Sequence, residues 1–170
     1  MLIIGRKVKI RNFEKTDFDQ FWSLVNDKNN HDLAGLEYTS DETFAKNLFD
    51  MYLRREDTYV IALVSDNSMV GIIELNKRGE SESLILTREV GFVVDSKYRQ
   101  KGYASEAVKL IVDFGRKELH LNEIWASTEE SNTTPQKLLE KLGFKYIYSA
   151  DESLPFVSQH NVVKYYLLKG

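Results

Sequence analysis

The chain has 170 residues, a formal net charge of −3, 42% hydrophobic and 29% charged residues, and no cysteine. This composition is typical of a folded protein with a substantial core, and we expect a single domain over residues 1–170. The negative charge argues against general nucleic-acid binding, and the lack of cysteine excludes disulfides, thiolate metal sites and a cysteine nucleophile. The apolar run at residues 1–4 is too short for a signal peptide, and no stretch is long enough for a membrane span, so we expect a cytoplasmic protein.

The periods of the apolar residues predict three strands and a helix in the first part of the chain. The strands are residues 8–12, 59–64 and 69–75, and a turn at residues 65–68 makes the last two a hairpin. The helix has an N-cap at Thr16 or Asp17 and an apolar face formed by Phe18, Phe21, Trp22 and Val25. The polar residues 26–30 are expected to interrupt regular structure, and residues 31–38 to be irregular.

A second helix is predicted after Thr39, which has capping-box spacing with Glu42. Its apolar residues recur at helical spacing, and they are Phe44, Leu48, Met51 and Tyr52. The charged run at residues 54–57 ends this helix. In the sequence, this second helix lies between the first strand and the hairpin, and we expect it to pack on the sheet.

The second half of the chain predicts four strands and two helices. The strands lie within residues 84–94 and at residues 123–127, 144–148 and 162–168, and the first helix runs from about Ala104 to Leu119. A strand, a helix and another strand in this order predict a parallel crossover. Pro135 lies in the first turn of the last helix, and Gly143 has the position of its C-terminal cap.

The polar loop between the buried strand and the long helix contains Arg99-x-x-Gly102-x-Ala104. The first turn of a helix has N–H groups without intrahelical partners and the positive end of the helix dipole. A glycine in such a loop lets an anion approach the backbone, so this junction can bind phosphate. The same residues also fit an ordinary strand-to-helix turn, because so short a motif specifies function only loosely.

Two blocks of residues resemble motifs of the GCN5-related N-acetyltransferase (GNAT) family. The first runs from Phe92 to Ala104 and resembles the acetyl-CoA-binding motif Gln/Arg-x-x-Gly-x-Gly/Ala with its preceding strand. The second runs from Asn132 to Phe144 and ends in Leu-Glu-Lys-Leu-Gly-Phe. Together with Glu89-Val90-Gly91-Phe92, this ending is most similar to the branch that acetylates ribosomal-protein N-termini. The resemblance covers roughly residues 6–169.

The order of elements predicts an α+β fold with some α/β character. The resemblance implies a mixed, centrally splayed sheet of about seven strands with helices on both faces, which admits the pantetheine arm of acetyl-CoA. It also implies a set of residues that bind this cosubstrate: Phe92, Val93, Val94, Arg99, Gln100, Lys101, Gly102, Tyr103, Ala104, Asn132 and Lys137. Loop N–H groups would hold the pyrophosphate, and the N–H of Phe92 would polarise the thioester carbonyl. Asn132 would bond the pantetheine arm. Lys137 or Lys141 could reach the phosphates, and both are also explained as solvated helix lysines.

Amine acetylation needs a group that removes a proton from the acceptor. Glu89 begins the strand that would carry the thioester and is the first candidate, with Glu74 on the preceding strand as a second. Glu89 is also explained as a strand-edge carboxylate paired with Arg88 or a lysine. Pro135 and Glu140 occupy positions where relatives have the hydroxyl that protonates the leaving thiolate, so the sequence identifies no general acid.

The predicted function is acetyl-CoA-dependent N-acetylation of a primary amine by direct attack in a ternary complex. The acceptor is left open between a protein N-terminus and a small amine, and the oligomeric state between a monomer and a homodimer. A non-catalytic acyl-CoA-binding or regulatory module is the alternative, and a nucleotide-phosphate-binding enzyme is a weaker one. Three scattered histidines give no metal-ligand spacing, so we expect no metal, and we expect neither a nucleic-acid nor a membrane partner.

Overall fold

The computed structural model describes residues 1–34, 36–156 and 160–170 of the chain. Its strands are β1 Leu2–Ile4, β2 Val8–Arg11, β3 Thr58–Leu63, β4 Met69–Lys77, β5 Thr87–Val94, β6 Glu123–Glu129, β7 Lys145–Asp151 and β8 Val162–Lys169. Its α-helices are α1 Phe18–Val25, α2 Lys28–Ala34, α3 Glu42–Arg54, α4 Tyr103–Lys117 and α5 Thr133–Lys141. No helix in this described part is long and apolar enough to span a bilayer.

The strands form a mixed sheet in the order β1-β2-β3-β4-β5-β6-β8-β7. Pairing is antiparallel from β1 to β4 and among β6, β8 and β7, whereas β5 and β6 are parallel. The parallel step follows from the β5–α4–β6 connection, because an intervening helix lets the chain return in the same direction. The predicted α+β class, mixed sheet and crossover are confirmed.

The prediction of about seven strands is one strand short, because β1 is missing from it. β1 is a three-residue edge strand that pairs with β2, and its outer residues Leu2 and Ile4 are 62% and 64% exposed. Three residues are too few to display the alternation that identifies a strand. The terminal apolar residues therefore extend the sheet.

Two compact units make up the chain, and β5 and α4 contribute residues to both. The first unit comprises Met1–Leu75 and Phe92–Ile111, and the second comprises Asn76–Gly91 and Val112–Gly170. In the first unit, Val60 and Ala62 of β3 belong to the core cluster that includes α1 and α3. Ile61 lies between them, faces the opposite side and is also fully buried, so helices cover both faces there. The single domain over residues 1–170 stays a prediction.

The predicted buried face of α3 is right for Leu48 and Tyr52, which pack against the core cluster, and wrong for Phe44 and Met51. Ala45 and Phe49 are the buried residues of α3, whereas Phe44 is 45% and Met51 61% exposed. The aromatic rings of α1 and the preceding loop determine this orientation, because Phe49 lies 5.1 Å from the ring of Phe21. The N-cap differs as well, since Asp41, and not the capping-box residue Thr39, accepts the first free N–H groups of the helix.

The region between α1 and α3 is more regular than the sequence indicates. Residues 28–34 form α2, although the polar run 26–30 and the segment 31–38 are predicted to be irregular. The Asp27 carboxylate accepts the N–H of Asn29 at 2.9 Å at the start of this helix. The polar residues 26–30 carry no apolar periodicity, so the sequence pattern does not predict this helix.

The second unit agrees closely with the predictions for its last helix. Pro135 is the third residue of α5, where its missing N–H is tolerated, and Gly143 follows the helix at φ +92°. Leu139 on α5 is buried together with Ile124 and Tyr166 of β6 and β8. The aromatic residues of β7, by contrast, are largely exposed.

A buried ion pair anchors the start of α1 in the first unit. Arg11 donates to both carboxylate oxygens of Asp17 at 2.7 and 2.8 Å, and the two side chains are 7% and 4% exposed. Asp17 also accepts the N–H of Glu14 at 2.8 Å. Its carboxylate is therefore occupied by Arg11 and Glu14 and does not cap α1 as predicted. These hydrogen bonds raise the pKa of Arg11.

We expect Asp17→Asn to lower the free energy of unfolding by about 3–5 kcal/mol, because it leaves the buried Arg11 cation without its partner. Urea denaturation followed by circular dichroism measures this loss. The control is Glu42→Gln, which removes the exposed pair with Lys46, whose side chains are 58% and 60% exposed. This control should change the free energy by about 0.5 kcal/mol or less. Equal effects of the two variants would contradict the role of the buried pair.

Candidate functional site

The junction between β5 and α4 in the first unit has the geometry of an anion site. Gln100 and Gly102 both have left-handed backbone, with φ +61° and +80°, just before the helix. The first hydrogen bond of the turn joins the N–H of Glu106 to the carbonyl of Gly102 at 3.1 Å. The N–H groups of Tyr103, Ala104 and Ser105 therefore precede the hydrogen-bond ladder of α4. Consecutive N–H groups in such a turn form a concave site for phosphate.

One buried side chain supports this junction from the neighbouring helix. Asn30 of α2 is fully buried, and its Oδ1 accepts the N–H of Ser96 at 3.0 Å and the Nη2 of Arg99 at 3.1 Å. Its Nδ2 donates to the carbonyl of Leu24 at 3.0 Å. Arg99 also donates through Nε to the carbonyl of Val94 at 3.1 Å. The Arg99 side chain thus holds the loop to the end of β5.

A second contact joins the same turn to the segment between α1 and α2. The hydroxyl of Ser96 donates to Asp27 at 2.6 Å, and this bond, with that from the N–H of Asn29, holds the pKa of Asp27 below its usual value. The Nζ of Lys97 donates to the hydroxyl of Ser23 at 2.7 Å. The sequence analysis missed Asp27 and Asn30, because a polar run next to a helix gives no sign of its distant partners.

The cosubstrate residues predicted on β5 lie where the strand meets β4. Val93 and Val94 are each 7% exposed, and Phe92 is half-buried. Gly71 of β4 is required here, because a Cβ at this position would lie 2.2 Å from the carbonyl oxygen of Val93. The two backbones can therefore approach closely only with glycine at this point.

The two predicted catalytic carboxylates have different partners. Glu74, in the first unit, lies 3.3 Å from Nη1 of Arg55 and 3.5 Å from the hydroxyl of Thr58. Glu89, in the second unit, accepts a hydrogen bond from the hydroxyl of Ser127 at 2.9 Å and is half-buried. Glu89 is therefore hydrogen-bonded to a neutral hydroxyl on β6.

The sheet face that carries Glu89 is aromatic and partly exposed. Trp125 of β6 pairs in register with Glu89, and the guanidinium of Arg78 lies 4.4 Å from the centre of its ring. Tyr148 and Tyr165 stack with 4.7 Å between their rings. The hydrogen bond to Glu152, burial and the nearby carboxylates, Glu89 among them, raise the pKa of Tyr165 to about 12. Tyr165 is therefore a protonated donor at neutral pH.

The remaining predicted residues lie on α5 and in the loop before it. Asn132 is the N-cap of α5, and its N–H donates to the carbonyl of Glu129 at 3.0 Å. Lys137 is exposed on the same helix. Pro135 and Glu140, where the family resemblance leads us to expect a hydroxyl, also lie on α5. This is the helix that the second motif predicts.

The chain thus combines a mixed α+β sheet, one parallel crossover and a left-handed turn at the start of α4. The Acetyltransferase (GNAT) domain family matches residues 7–145. The chain therefore belongs to the GNAT family of acetyltransferases, as the two motifs predict. Among curated proteins, the uncharacterised N-acetyltransferase YnaD of Bacillus subtilis (strain 168) is 26% identical over 151 residues, which cover 85% of this chain and 83% of that protein.

Solved structures share the fold over nearly the whole chain. A GNAT acetyltransferase from Bacillus anthracis has a TM-score of 0.87 and 25% identity, with 99% of this chain and 98% of that chain covered. Spermidine N-acetyltransferase from Vibrio cholerae, crystallised with CoA and spermine, has a TM-score of 0.79 and 17% identity over 97% and 96%. Ribosomal-protein-S5-alanine acetyltransferase from Vibrio fischeri has a TM-score of 0.74 and 18% identity over 99% and 96%. Structural neighbours that share this fold are thus crystallised with, or named for, different acceptors.

We expect Asn30→Ala to lower the free energy of unfolding by about 1–3 kcal/mol, because the Ser96 N–H and the Arg99 guanidinium lose a buried acceptor. Amide hydrogen exchange should become faster at Ser96 as the loop loosens. The matched control is Asn29→Ala, whose exposed side chain lies on the same helix. The role of Asn30 would be contradicted if both variants had the same stability and the same exchange rate at Ser96.

Proposed function

We propose that this acetyltransferase transfers the acetyl group of acetyl-CoA to a primary amine by direct attack in a ternary complex. The observation that carries this proposal is the pair of left-handed residues, Gln100 and Gly102, at the start of α4. They direct successive N–H groups to one point, which suits a pyrophosphate. Membership of the GNAT family supports acetyl-CoA as the molecule that supplies it.

The cosubstrate residues have separate roles in this proposal. The loop N–H groups from Arg99 to Ala104 hold the pyrophosphate, and the exposed Lys101 adds positive charge near it. The backbone of Phe92 to Val94 pairs with pantetheine. Asn132 and Lys137 are proposed for the pantetheine arm and the phosphates, as the family resemblance implies. The fixed loop supports this role, since a preorganised donor set needs no rearrangement when the anion arrives.

The reaction requires one bond to form and one to break at the thioester carbon. The acceptor nitrogen attacks the carbonyl carbon, the C–S bond breaks, and the nitrogen gives up a proton as CoA leaves as thiolate. The N–H of Phe92 stabilises the oxyanion, and a donor of this kind contributes about 2.7–4 kcal/mol. Solvent protonates the thiolate in this scheme, because Pro135 and Glu140 supply no hydroxyl.

Glu89 is the proposed base that takes the proton, directly or through a water molecule. It lies three residues before Phe92 in β5, so both act from the same strand. Its hydrogen bond from Ser127 orients the carboxylate and leaves its second oxygen for the amine. Glu74 is the second candidate, but its carboxylate is already paired with Arg55 at 3.3 Å.

We expect Gly102→Asp to weaken CoA binding by about tenfold or more, because it places an anion at the phosphate site. Isothermal titration calorimetry measures the affinity. The matched control is Gly102→Asn, which has the same size, tolerates left-handed backbone and carries no charge. A Cβ at this position has Lys7 Nζ at 3.5 Å as its only close neighbour, so there is space for either side chain. Equal affinities for CoA in the two variants would exclude a phosphate at this turn.

We expect Glu89→Gln to lower turnover by about 10²–10⁴-fold, the usual contribution of a general base, and to leave CoA affinity near normal. Release of free thiol from acetyl-CoA is measured with a panel of amines, among them spermidine and an N-terminal alanyl peptide. The control is Glu82→Gln, an exposed residue of the same unit. Unchanged turnover of Glu89→Gln together with a loss in Glu74→Gln would transfer the role of base to Glu74. Binding of CoA with no acceleration by any amine would favour a non-catalytic acyl-CoA-binding module.

A further inference from the structure

Arg78 has a buried hydrogen-bond donor without an acceptor. It lies in the loop between β4 and β5, and its Nη1 is buried and has no hydrogen-bond partner among the described residues. Buried polar groups in folded proteins are almost always paired, and a guanidinium cannot avoid the problem by losing its proton. The missing acceptor therefore indicates a ligand oxygen, most favourably that of an anion.

The indole of Trp125 supports the guanidinium of Arg78. The guanidinium carbon lies 4.4 Å from the centre of the Trp125 ring. The indole is itself fixed, because its Nε1 donates to Glu123 at 3.3 Å and the ring of Tyr148 meets it edge-on at 6.4 Å. A cation is attracted to the face of an aromatic ring and keeps its N–H donors for other partners. Arg78 thus has a supported position in which its Nη1 is buried and unpaired.

The proposed base lies on the same face of the sheet, next to this support. Trp125 and Glu89 are register partners in β6 and β5, and Ser127, two residues beyond Trp125, donates to Glu89 at 2.9 Å. Residues two apart in a strand face the same side and lie about 6.6 Å from each other. The face therefore has a cation over Trp125 and a carboxylate beside Ser127.

We infer that the acceptor is an α-amino acid, whose carboxylate pairs with Arg78 while its amine faces Glu89. This inference rests on the proposed function, since it assigns the acceptor of the same site. A carboxylate gives the guanidinium an anionic, bidentate partner, and the opposite charge at Glu89 orients the amine. A polyamine has no anionic group to pair with Arg78, and an amide offers a neutral oxygen in place of the anion.

Binding is tested separately from turnover. Trp22→Phe leaves Trp125 as the one tryptophan, and its fluorescence is titrated with the standard L-amino acids, their carboxamides and spermidine in the presence of CoA. At least one amino acid should saturate the signal with an affinity about tenfold or more above that of its carboxamide. Arg78→Met in this background should lose that preference, whereas Lys77→Gln, an exposed neighbour, should keep it.

Turnover is then measured by thiol release with the same ligands. The KM for the preferred amino acid should rise about tenfold or more in Arg78→Met while the affinity for CoA stays the same, which also reports that the variant is folded. Preference for spermidine, a carboxamide or a peptide over every amino acid would overturn the inference, as would an unchanged preference in Arg78→Met. Binding of an amino acid without acetylation would support the Arg78 site and contradict the proposed function.

Discussion

The loop before α4 binds an anion only if its N–H groups keep one direction, and the buried amide of Asn30 imposes that constraint. Its oxygen accepts bonds from both sides of the turn, at Ser96 and Arg99, while its nitrogen is fixed to α1. Left-handed backbone at Gln100 is unfavourable in an isolated loop and persists only when its surroundings determine it. Asn30, on the helix before α3, therefore stabilises the loop of the proposed phosphate site. This role is additional to any contact that the segment makes with an acceptor.

The strand-to-helix turn before α4 could be predicted because its geometry is local. Gly102 is required where φ is +80°, and the change from strand to helix around it follows from the period of the neighbouring residues. Asn30 could not be predicted, since Ser96 and Arg99 are 66 and 69 residues away and no periodic pattern connects them. The exposure of Phe44 and Met51 on α3 could not be predicted for the same reason. Its sequence offers apolar residues on two adjacent faces, and the distant ring of Phe21 selects the one with Phe49.

The chemistry of the second unit was predicted less completely than that of the first. Glu89 could be named from its position at the start of a buried strand, but its contact with Ser127 depends on the pairing of β5 with β6. Arg78 could not be named at all. It lies in a polar loop, where an arginine is ordinarily solvated, and only the three-dimensional structure brings it over Trp125 with a donor left unpaired.

An unpaired buried donor is unfavourable in the free protein, so its presence at a proposed acceptor site needs a reason other than stability. Its effect is on selectivity. A ligand that supplies the missing oxygen forms the hydrogen bond that the free protein lacks, whereas a ligand without that oxygen leaves the donor unsatisfied. Structural neighbours crystallised with spermine or named for ribosomal-protein acetylation share the fold at identities under 25%, so the fold does not select the acceptor. That choice depends on side chains outside the shared motifs. The loop that carries Arg78 is such a segment, and an anionic group of the acceptor would pair with the donor that Arg78 leaves unpaired.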